Sequence, residues 1–205
     1  MKRRGRRKLN NAGYSLVEVI VALGIVTIAA TAVFEFAIVA SKQYQKDTLE
    51  TEVQYEAQLV MNQIQELLID ASEGVSYSYA ASDGGVGDLI LKDDGIAPGT
   101  AANYKYLTVY NDDKYYVLKW DLGQEKIFYS EYRNDGGGVF TLLADEALMA
   151  EFVHAFSVDI SQLEENHSVR LDVTFDNQRS YRMTQNVTLR NKVAVNKSVS
   201  EVYAD

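Results

Sequence analysis

Apolar residues fall along this chain in three regimes. Residues 19–34 carry no charge, and the wider window 14–40 is charged at Glu18 and Glu35 alone. From residue 41 the pattern narrows to one face. Leu49, Val53, Ala57, Val60, Ile64, Leu67 and Ala71 recur every three or four positions, with Glu50, Glu52, Glu56, Gln58 and Glu66 between them. That spacing places the apolar set on one stripe of a helix. No proline lies in 14–73, and Gly74 is a natural stop. The pattern therefore predicts a single helix over 14–72, roughly 90 Å long at about 1.5 Å per residue. Its first half is apolar nearly all round and its second half on one side, so the second half is expected to lie on a sheet while the first protrudes.

Beyond Gly74 the period shortens to two. Strands are expected at 75–80, 88–91, 104–110, 115–120, 126–132, 139–143, 152–160, 169–175 and 181–189, rich in Val, Ile, Thr, Tyr and Phe. Turn signals separate them: Asp83-Gly84-Gly85, Asp93-Asp94-Gly95, Asn111-Asp112-Asp113, Asp121-Leu122-Gly123, Asn134-Asp135-Gly136-Gly137-Gly138, Glu164-Glu165-Asn166 and Asp176-Asn177. Residues 145–150 read as a short helix. The fold class is α+β, one long helix against a meandering antiparallel sheet. The chain divides into a basic leader (1–13), an apolar transmembrane or assembly helix (14–40), its amphipathic continuation (41–73), a β-rich globular domain (74–191) and a polar, flexible tail (192–205).

Charge sharpens this division. The net charge of −9 conceals a leader with six cations (Lys2, Arg3, Arg4, Arg6, Arg7, Lys8) and no acid. The remaining residues hold 14 Lys and Arg against 29 Asp and Glu, a net of −15. So acidic a body argues against nucleic acid as a direct partner, because phosphate would be repelled over most of its surface. A basic run directly before an apolar helix instead fits a cytoplasmic anchor under the positive-inside rule. The chain has no cysteine, hence no disulfide and no thiolate chemistry.

Three readings of the apolar segment compete. A membrane span needs about 20 residues, which 14–40 supplies. An ordinary secretory signal would use residues 2–8 as its basic region and Ala30-Thr31-Ala32 as its cleavage site. An uncleaved anchor is the third. Glu18 discriminates among them. An ionised carboxylate at the front of an apolar helix is expensive in hydrocarbon unless something pairs with it, and apolar residues continue past Ala32 through Val33, Phe34, Phe36, Ile38 and Val39.

Gly13, then Tyr14-Ser15-Leu16-Val17-Glu18, then an apolar run, all behind a short basic leader, resembles the type IV pilins and type II secretion pseudopilins. The resemblance implies that a membrane prepilin peptidase cuts between Gly13 and Tyr14 and methylates the new amine. It implies assembly through the apolar helix with other pilin or pseudopilin subunits, from a single pass in the cytoplasmic membrane with the globular domain outside, into an extracellular or periplasmic filament. Glu18 then has a partner: the Tyr14 ammonium of a neighbouring subunit, whose pairing offsets part of the desolvation cost and specifies register. Three departures from the family stand out: Tyr14 where phenylalanine or methionine is usual, no proline near Glu35, and no C-terminal disulfide. The chain length and the late run 152–191 look more like a minor subunit of the J or W type, which implies a place in a tip or initiation complex. The competing function is a membrane-anchored or secreted β-rich binding domain with an ordinary export signal.

Chemistry-bearing patterns are sparse. Asp83, Asp88, Asp93, Asp94, Asp112 and Asp113 lack the spacing of a calcium loop and read as acidic turns. His154 and His167 do not make a zinc motif. No nucleophile elbow, phosphate loop or dinucleotide glycine pattern occurs. No catalytic residue, metal ligand or cofactor is assigned, and the chain is expected not to be an enzyme. The fourteen tyrosines lie mostly in expected strands, where aromatic cross-strand pairing accounts for them.

Overall fold

A computed structural model describes residues 15–80, 88–92, 103–177 and 179–203, with the side chain of Asp88 left out. Two compact units divide the chain, residues 1–49 and 50–205.

Helix α1 runs from Leu16 to Ile69 without interruption. Its first turn is capped by Ser15, whose Oγ accepts the Glu18 N–H at 3.3 Å, satisfying one of the donors a helix start leaves open. In the first unit the described residues are solvent-exposed up to Thr48. In the second unit Val53, Ala57, Val60, Met61, Ile64 and Leu68 of α1 are buried. This stripe adds Met61 to the expected set, leaves Leu49 half-buried, and at its last turn takes Leu68 into the core while Leu67 stays half-buried. Both fit an i+3/i+4 step from Ile64, and the sheet beneath selects between them. The helix ends where other elements take its last carbonyls: Asn191 Nδ2 donates to Ala71 O at 2.9 Å and the Arg190 N–H to Ile69 O at 3.3 Å. The N–H groups of Ser72 and Glu73 then turn to Tyr110 O. Gly74 follows because a Cβ there would stand 3.0 Å from Tyr110 Cδ2 and 3.4 Å from Ala194 O.

The strands are β1 (Gly74–Ala80), β2 (Asp88–Leu89), β3 (Tyr104–Tyr110), β4 (Lys114–Asp121), β5 (Lys126–Gly136), β6 (Val139–Ala150), β7 (Val153–Asp159), β8 (Ser168–Asp176), β9 (Ser180–Thr188) and β10 (Ala194–Val195), with short helices α2 (Leu163–Asn166) and α3 (Val199–Val202). They form two sheets. The larger has the order β10-β1-β3-β4-β5-β6, with β2 also on β1, and every pairing is antiparallel except β10 with β1. The smaller is the antiparallel β7-β8-β9. The protein is α+β: a long N-terminal helix followed by an antiparallel-rich sheet domain, a pilin-like arrangement.

One contiguous core joins the domain. The α1 stripe meets Val75, Tyr77, Leu107, Leu118, Trp120 and Ile127 of the first sheet and Phe156, Leu171 and Val173 of the second. Each large side chain buried this way stabilises the fold by roughly 1.5–3 kcal/mol before entropy is counted. Polar groups stitch the sheets together inside it: Trp120 Nε1 donates to Val153 O and Lys105 Nζ to Phe156 O, both at 2.9 Å.

Three expectations are corrected. Residues 145–150 are not helical but complete a twelve-residue β6. The hairpin tip Gly136-Gly137-Gly138, all at positive φ, aligns β6 with β5. Register shifts along the pair accommodate Asp145 and Glu146, so pairing overrides local helix preference. Phe152, expected to open a strand, has φ +58 and precedes β7. Its carbonyl accepts the Asp176 N–H at 2.8 Å, which fixes the turn.

The third correction is the tail, expected to be flexible. Its described part, up to Tyr203, is ordered. β10 pairs in parallel with Gly74 and Val75, Lys197 O accepts the Ser76 hydroxyl at 2.6 Å, and α3 begins in a Ser198/Glu201 capping box. The Tyr203 hydroxyl reaches Asn111 O at 2.5 Å and Lys114 O at 2.9 Å. The Asn196 and Tyr203 side chains and the Lys197 carbonyl bond to β1, to β4 and to the turn between β3 and β4, while Lys192, Ser198, Ser200 and Glu201 are exposed.

Candidate assembly helix

Glu18 sits in the first turn of α1. Its carboxylate makes no hydrogen bond or ion pair among the described residues, and the same holds for Glu35. A negative charge at a helix N-terminus is favoured by the helix dipole, here reinforced by the Ser15 cap. Around Glu18 the surface is apolar: Leu16, Val17, Ile20, Leu23, Ile25 and Ile28 are each at least 60% exposed. Gly13 and Tyr14, the expected processing residues, lie outside the described residues, as does the basic leader.

The exposed apolar stretch is long enough and apolar enough to cross a bilayer. Its two threonine hydroxyls are satisfied internally, which suits a hydrocarbon environment. Thr27 Oγ1 donates to Leu23 O at 2.7 Å and Thr31 Oγ1 to Ile28 O at 2.8 Å. Residues 15–40 therefore offer a continuous apolar surface whose charges are the two carboxylates Glu18 and Glu35.

The second unit places the other candidates apart. His154 lies on the surface with Nδ1 3.1 Å from Glu125 Oε1, and His167 is the left-handed cap of α2 at φ 51. Asp112 accepts the Ser72 hydroxyl at 3.0 Å. Asp83, Asp93 and Asp94 lie outside the described residues. Among the described residues no group of three metal-ligating side chains gathers. The tyrosines pack as ladders: Tyr115 stacks on Tyr132 with centroids 4.5 Å apart, and Phe140 meets Tyr115 edge-on at 5.3 Å. Burial pushes the Tyr115 phenol up to about 12. It raises Tyr129 and Tyr203 as well.

Sequence reading missed the two lysines that enter the sheet domain, because burial of a cation is settled by long-range pairing. Lys119 inserts between Tyr104 and Phe128, its Nζ 5.8 and 5.2 Å from their ring centroids and 2.5 Å from Glu146 Oε1. Lys105 Nζ lies 5.0 Å from the Trp120 ring centroid. Alternation along β3 and β4 was visible; which cations it would bury was not.

Residues 8–34 match the family model described as the prokaryotic N-terminal methylation motif. No curated protein and no solved structure matches the chain. The motif, on a helix exposing an apolar surface, supports a type IV pilin-like or pseudopilin protein. It implies processing by a prepilin peptidase and assembly with other pilins, and it is consistent with a single-pass membrane anchor.

Proposed function

We propose that this chain is a structural, non-enzymatic subunit of a type IV pilus or pseudopilus, of the low-copy minor kind that acts in a tip or initiation complex. Gly13 is the residue before the processing site, Tyr14 supplies the new and methylated amine, and Glu18 is the register charge. Before assembly the subunit is held in the cytoplasmic membrane with its sheet domain outside; afterwards it is held in the filament. Chain length and the late run 152–191 support the minor assignment.

One observation carries this reading. Within the segment that matches the methylation motif, Glu18 lies in the first turn of an exposed apolar helix with no partner for its carboxylate among the described residues. In low dielectric such a charge is strongly unfavourable alone and is offset by a nearby cation. The ammonium that cleavage creates on a neighbouring subunit is a cation in the same layer. A subunit added out of register leaves both charges unpaired.

The test is the intact mass of the protein recovered from membranes of cells with and without a prepilin peptidase. A peptidase-dependent species beginning at Tyr14, methylated or not, is expected. A species beginning at Val33, or uncut Met1 in the presence of the peptidase, would overturn the reading.

A further inference from the structure

Three Asn-x-Ser/Thr tripeptides occur in the chain: Asn166-His167-Ser168, Asn186-Val187-Thr188 and Asn196-Lys197-Ser198. None has proline in the middle, so each fits the acceptor pattern for a glycan on an asparagine amide. The pattern is short and recurs by chance, so the surroundings of each tripeptide must discriminate. The hydroxyl of the third residue has to reach the carboxamide of the first. An acceptor must therefore turn, stay accessible and keep both groups uncommitted.

Two of the three fail. Asn196 is half-buried and its Oδ1 accepts the Tyr77 N–H at 3.0 Å, while the Ser198 hydroxyl is held by Glu201 Oε2 at 2.7 Å. Asn186 and Thr188 lie in β9, paired along its length with β8. In an extended strand they stand two rises apart, about 7 Å, which a hydroxyl does not bridge. Asn166 meets every condition. It is exposed at the end of α2, and His167 at φ 51 and ψ 35 turns the chain there. Its Nδ2 donates to Oε1 of Gln162 at 2.7 Å, a side chain itself exposed. The Ser168 hydroxyl makes no hydrogen bond among the described residues. Asn166 also has an exposed acid two positions before it, Glu164, where the other two have Thr184 and Ala194.

We infer that Asn166 is an N-glycosylation site, the acceptor of a glycan carried on a membrane lipid as its pyrophosphate. Nδ2 of Asn166 forms a bond to C1 of the first sugar, and the bond from C1 to the pyrophosphate oxygen breaks. One Nδ2 proton passes to a base of the transferase, and the lipid pyrophosphate leaves. Glu164 gives that transferase a charged handle beside the acceptor, of the kind a cationic side chain grips. The inference rests on the proposed placement of the sheet domain outside the cytoplasmic membrane, where a membrane-bound donor and an exported acceptor meet.

The experiment is mass spectrometry of the full chain recovered from the membranes of its own cells, intact and after trypsin. Cleavage after lysine and arginine puts the three tripeptides on separate peptides, 134–170, 183–190 and 193–197. A carbohydrate mass is expected on 134–170, located at Asn166 by fragmentation, with the other two peptides bare. Asn166→Gln and Ser168→Ala should lose it. Ser168→Thr should keep it, which a merely structural role of the serine would not require, and Glu164→Gln should lower the occupied fraction. Asn166 is exposed, so near-ultraviolet circular dichroism of Asn166→Gln should match the parent. Protein beginning at Tyr14 with 134–170 bare would overturn this inference and leave the pilin-like reading standing. Protein beginning elsewhere but modified at Asn166 would do the reverse. Modification confined to 183–190 or 193–197, or retained in Ser168→Ala, would also overturn the inference.

Discussion

The backbone N–H of Tyr77, inside β1, donates to Oδ1 of Asn196 at 3.0 Å, and the two residues are 119 positions apart. Asn196 adopts φ +49, a left-handed conformation that asparagine tolerates better than most residues. One side chain thus turns the chain after β10 and completes the hydrogen bonding of the first strand.

Asn196→Ala should therefore leave the Tyr77 N–H unpaired in the sheet and strain the backbone. A destabilisation of about 1–3 kcal/mol is expected, read as a fall of about 2–4 °C in melting temperature per kcal/mol for a domain of this size. Asn196→Gly keeps the backbone conformation and loses only the hydrogen bond, so it should cost less than alanine. Equal melting temperatures for all three proteins would show that the latch contributes nothing.

Glu18→Gln removes the charge and keeps the shape. Processing should be largely unchanged, while incorporation into filaments should be abolished or greatly reduced, because a neighbour's ammonium would lose its counter-charge. Immunoblots of sheared filaments against membrane fractions check this, and normal incorporation would sink the pairing argument.

Lys119 carries its ammonium into the sheet face, and Glu146 is the carboxylate that meets it. Glu146→Ala is expected to destabilise the domain by about 1–3 kcal/mol, since it removes the counter-charge of a buried cation. Lys119→Met should cost less, because an apolar side chain suits the space between Tyr104 and Phe128. Chemical denaturation of the two single variants and the double variant measures the coupling. A Lys119→Met variant weaker than Glu146→Ala would contradict this ranking.

Acid should weaken the domain through two carboxylates. Glu131 is held below the usual range by its hydrogen bond from Lys114, at 2.8 Å, and Asp172 by its hydrogen bonds from Arg182. A depressed folded value means the contribution is complete above the ordinary carboxylate range of about 4. It is lost as pH falls through the folded values, and partial exposure keeps it modest. Denaturation midpoints measured downward from neutral pH should fall in that window, less steeply in Glu131→Gln.

At the alkaline end the sign reverses in form. Tyr115, raised to about 12 by burial first and by its tyrosine neighbours second, stabilises the fold fully below the ordinary phenol value of about 10. That contribution is lost as pH rises from there toward the folded value. Absorbance titration of tyrosinate should show some of the fourteen tyrosines ionising late and together with unfolding. In Phe140→Ala, which thins the cover over Tyr115, that late phase should move to lower pH.

Much of the architecture was legible because it rests on local periodicity. The helix followed from apolar residues at three- and four-residue steps and from the absence of proline. Most strands followed from alternation and from turns such as Asn134-Asp135-Gly136. Three features were hidden for one shared reason. Residues 145–150 have the composition of a helix, 192–203 that of a loose tail, and Leu67 and Leu68 are interchangeable by spacing. In each case the outcome depends on a partner distant in the chain: β5 for the first, Gly74, Val75 and Tyr77 for the second, the sheet surface for the third.

The same division applies to function. The sequence by itself determined the processing motif, the apolar helix and the position of Glu18 within it, since each is a local pattern of charge and hydropathy that needs no folding to be read. Only the tertiary structure decided that the strands split into two sheets and that the tail closes on β1. Only it decided that Lys119 is buried against Glu146 and that Asp159 turns to Ser161. These are competitions among long-range partners for a limited number of hydrogen bonds and charges, and chain order alone does not settle them.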